Sequence, residues 1–184
     1  MSSTPRALSR KTIYESPWIR LHVDRVLYPA GRIAEEHHFL DFPHQGVAAV
    51  ITNDRDEVLL IESYRYLHDL VDWEIPAGGF VPSEESPETA ARREVLEETG
   101  YEAEGLKPVY TYYPIIGISN CTFHILRGTA SRKTAEFDAN EVRQTRWFTR
   151  AEIKTLLAER RVVDGFALAG LMFYLHPLPD LPPV

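Results

Sequence analysis

Residues Gly79–Tyr101 read GFVPSEESPETAARREVLEETGY, and this stretch predicts a loop followed by one helix. Ser86 and Pro87 are typical of a helix start, because the Ser oxygen accepts from free backbone N–H groups and proline has no N–H to leave unpaired. Gly100 indicates the helix end, since glycine readily adopts the left-handed conformation of a C-terminal cap. We therefore expect a helix of about four turns between them.

The second half of this helix carries a cluster of acids. At roughly 100° per residue, Glu94, Glu97 and Glu98 fall within an arc of about 100°. Ala91 and Val95 flank Glu98 on that arc, so we expect Glu98 to be partly removed from water. A desolvated carboxylate beside two others is unstable unless a cation compensates it. The alternative is a solvated face of Glu and Arg side chains.

Nine residues of this stretch carry a resemblance to a known family. Their order is Gly, five residues, Glu, seven residues, then Arg-Glu-bulky-any-Glu-Glu-any-Gly-bulky. The positions are filled by Gly79, Glu85, Arg93, Glu94, Val95, Glu97, Glu98, Gly100 and Tyr101. At every fixed position and every gap, the sequence resembles the Nudix box.

Composition limits the class of protein. A chain of 184 residues is long enough for one well-buried core, and we expect one main domain. Its 44% hydrophobic and 26% charged residues are typical of a soluble globular protein, and no apolar run has the length of a membrane span. A net charge of −7 disfavours binding to a nucleic acid duplex. We therefore predict neither a nucleic acid nor a membrane partner.

Two features predict a cytoplasmic location. The N-terminal MSSTPRALSRKT has basic residues but no apolar segment typical of a secretory signal. The single cysteine, Cys121, cannot form a disulfide within the chain.

The hydrophobic pattern predicts an α/β fold with a mixed sheet between helices. We predict strands at residues 18–27, 33–40, 47–52, 58–64, 109–113, 122–126 and 142–148, a loop at 76–79, and later helices from Thr149 to about Arg160 and over 166–174. The predicted organisation is a mobile arm (1–12), a small antiparallel N-terminal sheet (13–42), the main domain (43–176) and an unstructured proline-rich tail (177–184).

The resemblance extends beyond the box, over about residues 14–175. It is strongest with the branch of ADP-ribose and nucleoside-diphosphate-sugar pyrophosphatases. The residues that carry it are Trp18 after a proline, Ser63-Tyr64-Arg65, Trp73-Glu74-Ile75-Pro76-Ala77-Gly78, and Trp147-Phe148. The resemblance implies an α/β/α sandwich, and it implies a homodimer that shares its sites through the N-terminal sheet.

The resemblance also implies a magnesium-dependent reaction, with two or three ions and Mn²⁺ as an alternative. Magnesium prefers hard oxygen ligands and bridges carboxylates to phosphate oxygens. The implied metal ligands are Ala77 through its carbonyl, Glu85, Glu94 and Glu98, and the implied catalytic residues are Arg93, Glu97 and Glu141. Two points stay open: Gly78 could supply the carbonyl instead of Ala77, and Glu85 and Glu97 could be partners of Arg93 rather than ligands.

Four further residues have alternatives of their own. Glu141 is the preferred base or extra ligand, Glu136 is the second choice, and either could be a solvated loop acid. Arg65 resembles the family arginine that reaches substrate phosphate or ribose, and its alternative is a surface ion pair. Trp18 could stack on a nucleobase, or it could anchor a dimer or core contact.

The implied activity is hydrolysis of ADP-ribose or a related nucleoside diphosphate sugar to a nucleoside monophosphate and a sugar phosphate. Three departures leave base and sugar open: Ile116 stands where ADP-ribose hydrolases have a marker proline, Cys121 replaces an acid, and Asp164-Gly165-Phe166 lacks an Asp-any-Lys sequence. One alternative is another nucleotide substrate, such as a dinucleotide cofactor or a nucleoside triphosphate. The other is a non-catalytic ADP-ribose sensor, which the intact box acids disfavour.

Overall fold

The computed structural model describes residues 3–179, which divide into two compact units. The first comprises the residues up to Gln45 together with Tyr113–Thr122. The second comprises Gly46–Tyr112 and the residues from Phe123 onward. No helix within the described residues is long and apolar enough to cross a membrane.

A three-stranded antiparallel sheet of order β1-β2-β3 forms most of the first unit. Its strands are β1 (Arg6–Glu15), β2 (Arg20–Leu27) and β3 (Ile33–Asp41). Asp24 on β2 is buried and accepts two hydrogen bonds of 2.8 Å from the Arg10 guanidinium on β1. This bidentate pair ties β1 to the sheet.

The prediction of a mobile arm over residues 1–12 is wrong from Arg6 onward. Residues 6–15 form β1, so the N-terminal sheet starts before residue 13 and has three strands. All ten residues of β1 are exposed, and a strand without a buried face shows no alternation of apolar and polar residues. Residues 1 and 2 lie outside the described part of the chain.

The second unit is built on a mixed sheet. Five strands have the order β10-β5-β4-β9-β8, while β6 pairs with β5 and β7 pairs with β4. The strands are β4 (Gln45–Thr52), β5 (Val58–Arg65), β6 (Leu70–Glu74), β7 (Ala77–Phe80), β8 (Glu104–Tyr112), β9 (Phe123–Thr129) and β10 (Val142–Phe148). β4 and β9 are parallel, whereas β5 pairs antiparallel with β4, β6 and β10.

Helices cover both faces of this sheet. They are α1 (Pro87–Thr99), α2 (Arg150–Ala158) and α3 (Gly165–Leu175). Val47, Ala49 and Ile51 of β4 pack in one core with apolar residues of α1, while Ala48 and Val50 pack in another with those of α2 and α3. A strand that is buried on both faces has apolar residues at consecutive positions, and residues 47–51 show this pattern. The predicted α/β/α sandwich with a mixed sheet and a small N-terminal sheet is confirmed.

The predicted loop at residues 76–79 is also wrong in part. Ala77–Phe80 form β7 beside β4, and the Pro76 carbonyl accepts from the Ala49 N–H at 3.0 Å. Two adjacent glycines favour a loop in a sequence pattern, but pairing with a central strand decides the conformation here. In the proline-rich tail, residues 177–179 have no regular secondary structure, and residues 180–184 lie outside the described part.

Candidate active site

Helix α1 begins and ends where its sequence predicts. The Ser86 hydroxyl accepts a hydrogen bond from the Thr89 N–H at 3.2 Å, and Pro87 is the first helical residue. Gly100 caps the other end with φ of 75°. A Cβ at Gly100 would collide with the Ala135 carbonyl, so glycine also lets the loop after β9 pack against the last turn of α1.

Glu98, in that last turn, is buried. Only 6% of it is exposed, and its Oε2 accepts a hydrogen bond of 2.8 Å from the Ala77 N–H. Burial, together with the nearby charges of Glu94 and Glu141, raises the pKa of Glu98 to about 8, although the hydrogen bond from Ala77 lowers it. Within residues 3–179, Glu98 forms no ion pair with lysine or arginine. The predicted removal of Glu98 from water is therefore observed.

Glu94 lies one turn earlier, against the backbone of β7. A Cβ at Gly78 would collide with the Glu94 carboxylate, so a glycine is needed for this approach. Burial raises the pKa of Glu94, while the neighbouring Arg93 opposes the rise. The carboxylates of Glu94 and Glu98 thus both lie against the short segment Ala77-Gly78.

Arg93 connects the other box acids. Its guanidinium lies 3.0 Å from Glu85, 2.7 Å from Glu94 and 3.2 Å from Glu97, and it also donates to the Gly79 carbonyl. The solvated Arg93–Glu97 pair considered from the sequence is present, but it is one part of a larger arrangement. Arg93 therefore fixes three carboxylates and the start of the box relative to each other.

A cavity of about 420 Å³ opens beside these residues. It is lined by Glu94, Glu97, Glu98, Glu136, Phe137, Asp138 and Glu141. The wall from residues 136–141 is attached to α1, because the Asp138 N–H donates to the Glu97 carbonyl at 2.9 Å. The Asp138 carbonyl in turn accepts from the Glu141 N–H at 3.2 Å. Six of the seven lining residues are acids, and we call this space the acidic cavity.

The two candidate loop acids have different neighbours. Glu141 is close enough for its charge to raise the pKa of both Glu94 and Glu98. Glu136 has a side chain that is 90% exposed, and it pairs with Lys133 at 3.2 Å. Of the two acids, Glu141 is the one whose charge acts on the box glutamates.

The donor set of the acidic cavity fits a hard divalent cation. All its charged ligand atoms are carboxylate oxygens, and the buried Glu98 has a hydrogen bond but no cation. In the described part of the chain, no three carboxylate, imidazole or thiol groups already converge at ligand distance. Arg93 takes up part of the carboxylate charge instead, and the remaining repulsion is what a bound cation would relieve.

Comparison with known proteins now gives the family. Residues 42–165 match the NUDIX domain, which is more than half of the chain. The chain belongs to the Nudix family. Residues 6–40 match the nucleoside diphosphate sugar hydrolase N-terminal domain, a stretch that spans β1 to β3.

Several curated proteins resemble this Nudix protein over most of their length. The CMP-5'-(N-acetyl-N-hydroxy-3-aminopropyl)phosphonate hydrolase of Streptomyces rubellomurinus is 32% identical over 167 residues, 90% of this chain and 79% of that protein. The ADP-ribose pyrophosphatase of Bacillus subtilis is 26% identical over 164 residues, 87% of this chain and 86% of that protein. A solved structure titled as an ADP compounds hydrolase shares the fold, with a TM-score of 0.80, 19% identity, and coverage of 92% of this chain and 91% of that one.

These matches confirm the resemblance to the branch of ADP-ribose and nucleoside-diphosphate-sugar pyrophosphatases. The protein is a Nudix pyrophosphohydrolase, an enzyme of a family that generally uses a divalent metal ion. Its substrate class is a small nucleotide derivative.

Arg65, predicted to bind substrate, ends β5 and forms an ion pair that the sequence did not identify. Its Nε donates to Glu74 at 2.7 Å, and its Nη2 donates to the other Glu74 oxygen. Glu74 is only 1% exposed, so the partner is a core acid rather than a surface acid. The Arg65 side chain stays 52% exposed. In the sequence, a buried acid at this position is indicated only by its neighbours, because the charged Glu74 lies between the apolar Trp73 and Ile75.

Trp18 belongs to the first unit of this Nudix protein. Its side chain is 73% exposed, and its ring stacks on His44 with centroids 5.3 Å apart. The alternative of a core anchor is therefore not observed within the chain. Its predicted contact with a nucleobase stays a prediction.

Proposed function

We propose that this enzyme hydrolyses the pyrophosphate bond of ADP-ribose or a related nucleoside diphosphate sugar, giving a nucleoside monophosphate and a sugar phosphate. The observation that carries the proposal is the acidic cavity, where the buried Glu98 faces two other carboxylates without a cation of its own. Support for the substrate class comes from the named ADP-ribose pyrophosphatases and from the matching N-terminal domain.

Magnesium is the proposed cofactor, in two or three ions, with Mn²⁺ as a substitute. Glu94 and Glu98 would hold it, with Glu85 and the Ala77 carbonyl as further ligands and Gly78 as the alternative carbonyl. When bound, the ions would neutralise pyrophosphate charge and make water more acidic. The hard carboxylate oxygens around the acidic cavity support this choice over softer metals.

Arg93 and Glu97 are proposed to act together. Arg93 holds the carboxylates of Glu85, Glu94 and Glu97 by hydrogen bonds, so it keeps them in place while charge builds up nearby. Glu97 is the most exposed of these three, with 55% of its side chain accessible, and it lines the acidic cavity. It would therefore be available as an additional ligand without losing its contact with Arg93.

Glu141 is the proposed general base. It lines the acidic cavity from the wall of residues 136–141 and is exposed, so its carboxylate can take a proton from a water molecule in the cavity and return it to solvent. Glu136 is the second candidate, and its pair with Lys133 makes it the less available acid.

Arg65 and Trp18 are the proposed substrate contacts. About half of the Arg65 side chain is exposed while Glu74 fixes its guanidinium, which would leave further N–H donors for a phosphate or ribose oxygen. Trp18 presents a largely exposed ring that could stack on a base.

A second candidate substrate is a nucleoside monophosphate joined to a phosphonate. The relative from Streptomyces rubellomurinus, 32% identical, is named for such a CMP-linked compound. Ile116, in place of the marker proline, is consistent with a substrate other than ADP-ribose. Both candidates share an anhydride between a nucleotide phosphorus and a second phosphorus.

Hydrolysis of a substrate panel with Mg²⁺ or Mn²⁺, followed by identification of the products, tests the proposal. The panel contains ADP-ribose, nucleoside diphosphate sugars, a CMP-linked phosphonate, dinucleotide cofactors and nucleoside triphosphates. We expect ADP-ribose to give AMP and ribose 5-phosphate with the highest kcat/KM. Equal or faster turnover of nucleoside triphosphates would overturn the proposal, and preference for the phosphonate would support the second candidate.

We also propose a homodimer that forms through the three-stranded sheet. Its support is the exposed strand β1, where Ile13 is 50% and Tyr14 56% exposed. Light scattering should give a dimer for the full chain and a monomer for Ile13→Glu, while a monomeric parent would contradict this. The cytoplasmic location stays a prediction from the sequence.

A further inference from the structure

Residues 130–141 connect β9 to β10 and supply one wall of the acidic cavity. This segment contains no helix and only one isolated β-bridge. Two backbone hydrogen bonds, in addition to the one from Asp138 described above, attach it to the end of α1. The Gly100 carbonyl accepts from the Thr134 N–H at 2.8 Å and from the Ala135 N–H at 3.1 Å. Carbonyls at the end of a helix have no partner within it, so the segment is held where α1 needs hydrogen-bond donors.

The last four residues of this segment form a turn built on Asp138. The Asp138 carbonyl accepts from the N–H groups of Glu141 and Val142, at 3.2 Å and 2.9 Å. Its side-chain Oδ1 accepts from the Asn140 N–H at 2.8 Å and from Asn140 Nδ2 at 2.7 Å. An aspartate side chain that binds the N–H two residues later stabilises a turn in this way. Asp138 therefore fixes the turn with both its backbone and its side chain.

Glu141 ends this turn, and its own side chain has nothing to hold it. In the described part of the chain, its carboxylate accepts no hydrogen bond and forms no ion pair. The next residue, Val142, is 1% exposed and begins β10. The charges of Glu94 and Glu98 repel the Glu141 carboxylate, as the raised pKa values of both show. The turn and the strand thus hold Glu141 beside two carboxylates that repel it.

We infer that Asp138 is a positioning residue for Glu141. Through its two hydrogen bonds with Asn140, the Asp138 side chain keeps the turn in the shape that places the Glu141 carboxylate at the acidic cavity. Asp138 acts as a hydrogen-bond acceptor, and its charge is not required. The inference rests on the proposed role of Glu141 as general base, and it adds a residue that exchanges no proton itself.

Steady-state kinetics of two Asp138 variants test the inference, on the compound of the substrate panel that is hydrolysed fastest. Asp138→Ala removes the acceptor and lets Glu141 move, so kcat should fall by about tenfold. Its KM and its Kd for Mn²⁺ should stay within about twofold of the parent. Asp138→Asn keeps an oxygen acceptor for Asn140, so its kcat should recover to within about threefold of the parent.

Asp54→Ala is the matched control for these variants. Asp54 is also an exposed aspartate of a turn, but it does not line the acidic cavity, so its variant should have a normal kcat. Circular dichroism melting checks that each variant is folded. An Asp138→Asn variant as slow as Asp138→Ala, or weaker Mn²⁺ binding by Asp138→Ala, would show that the Asp138 charge acts directly and would overturn the inference.

A double variant shows whether Asp138 acts through Glu141. Glu141→Gln alone should lower kcat by about 10²-fold or more, and adding Asp138→Ala to it should change kcat by less than about twofold. A further tenfold loss in the double variant would overturn the inference. A parent-like kcat in Asp138→Ala beside a slow Glu141→Gln would overturn the inference alone. A parent-like kcat in Glu141→Gln would instead overturn the proposed base, and the inference with it.

Discussion

Glu74 and Glu98 are two buried glutamates of one unit that differ in their partners. Glu74 is 1% exposed and receives two hydrogen bonds from the Arg65 guanidinium. Glu98 is 6% exposed and receives one hydrogen bond, from the Ala77 N–H. Burial raises the pKa of both, but Arg65 opposes the rise for Glu74, while Glu94 and Glu141 add to it for Glu98.

This difference in partners separates a structural role for Glu74 from the role proposed for Glu98. A buried charge requires a compensating charge or a proton. The chain supplies a cation to Glu74 from its own sequence, which makes that pair a part of the fold. It supplies none to Glu98 within the described residues, and this difference supports the proposal that Glu98 binds a cation from solution.

The largest effect is expected when Glu98 is replaced. Glu98→Gln keeps an acceptor for the Ala77 N–H but removes the charge, so kcat should fall by about 10³-fold or more. In metal-free protein its free energy of unfolding should be unchanged or higher by about 1–2 kcal/mol, because a repelled buried charge is gone. Steady-state kinetics and urea denaturation measure the two values. Full activity in this variant would contradict the proposal that Glu98 is a metal ligand.

Removal of the partner of Glu74 should have the opposite effect on stability. Arg65→Ala leaves a buried carboxylate without a cation and should destabilise the fold by about 2 kcal/mol, a value reduced because Arg65 is half exposed. The matched double variant Arg65→Ala, Glu74→Gln should recover most of this loss. Urea denaturation compares the three proteins. A single variant as stable as the parent would show that Glu74 does not need its cation.

Substitution of Gly78 tests whether the close approach of the backbone to the Glu94 carboxylate matters for activity. Gly78→Ala places a Cβ against the Glu94 carboxylate, so Glu94 must move and metal-dependent kcat/KM should fall by about 10- to 100-fold. Gly165→Ala is the control, because open space surrounds its Cβ position and activity should be normal. Equal activity of both variants would exclude a role for this close contact.

The smallest effect concerns Asp24, a buried acid of the first unit that resembles Glu74 in having its own arginine. The hydrogen bond from Arg10 holds the pKa of Asp24 below its ordinary value of 3.8. A lowered folded-state pKa gives stability that is present above pH 3.8 and is lost as pH falls through the folded-state pKa. Asp24→Asn should therefore be less stable by about 1 kcal/mol at pH 7, with a difference that shrinks below pH 3.8. A constant difference from pH 7 to pH 2 in urea denaturation would contradict this.

The local signals of α1 were enough to predict much of the site. Ser86, Pro87 and Gly100 act within one turn of each helix end, so their effect can be read from neighbouring residues. The burial of Glu98 followed from the apolar Ala91 and Val95 on the same face. The alternation of strands and helices predicted a mixed sheet between helices, and the family resemblance implied the α/β/α sandwich. The apolar run at residues 47–52 predicted one strand buried on both faces.

Features that depend on distant residues were not predicted. Strand β1 has no buried face, and its partners on β2 range from Arg20, opposite Glu15, to Leu27, opposite Arg6. The Arg65–Glu74 pair arises because β5 and β6 form a hairpin that brings Arg65 near Glu74.

The most direct test of the metal site is isothermal titration calorimetry of Mn²⁺ and Mg²⁺, with and without AMP, on the parent protein and on Glu98→Gln. The parent should bind divalent ions, and Glu98→Gln should bind them at least about tenfold more weakly. Absence of ion uptake by the parent under both conditions, or equal affinity in the two proteins, would contradict the conclusion that Glu98 awaits a cation from solution.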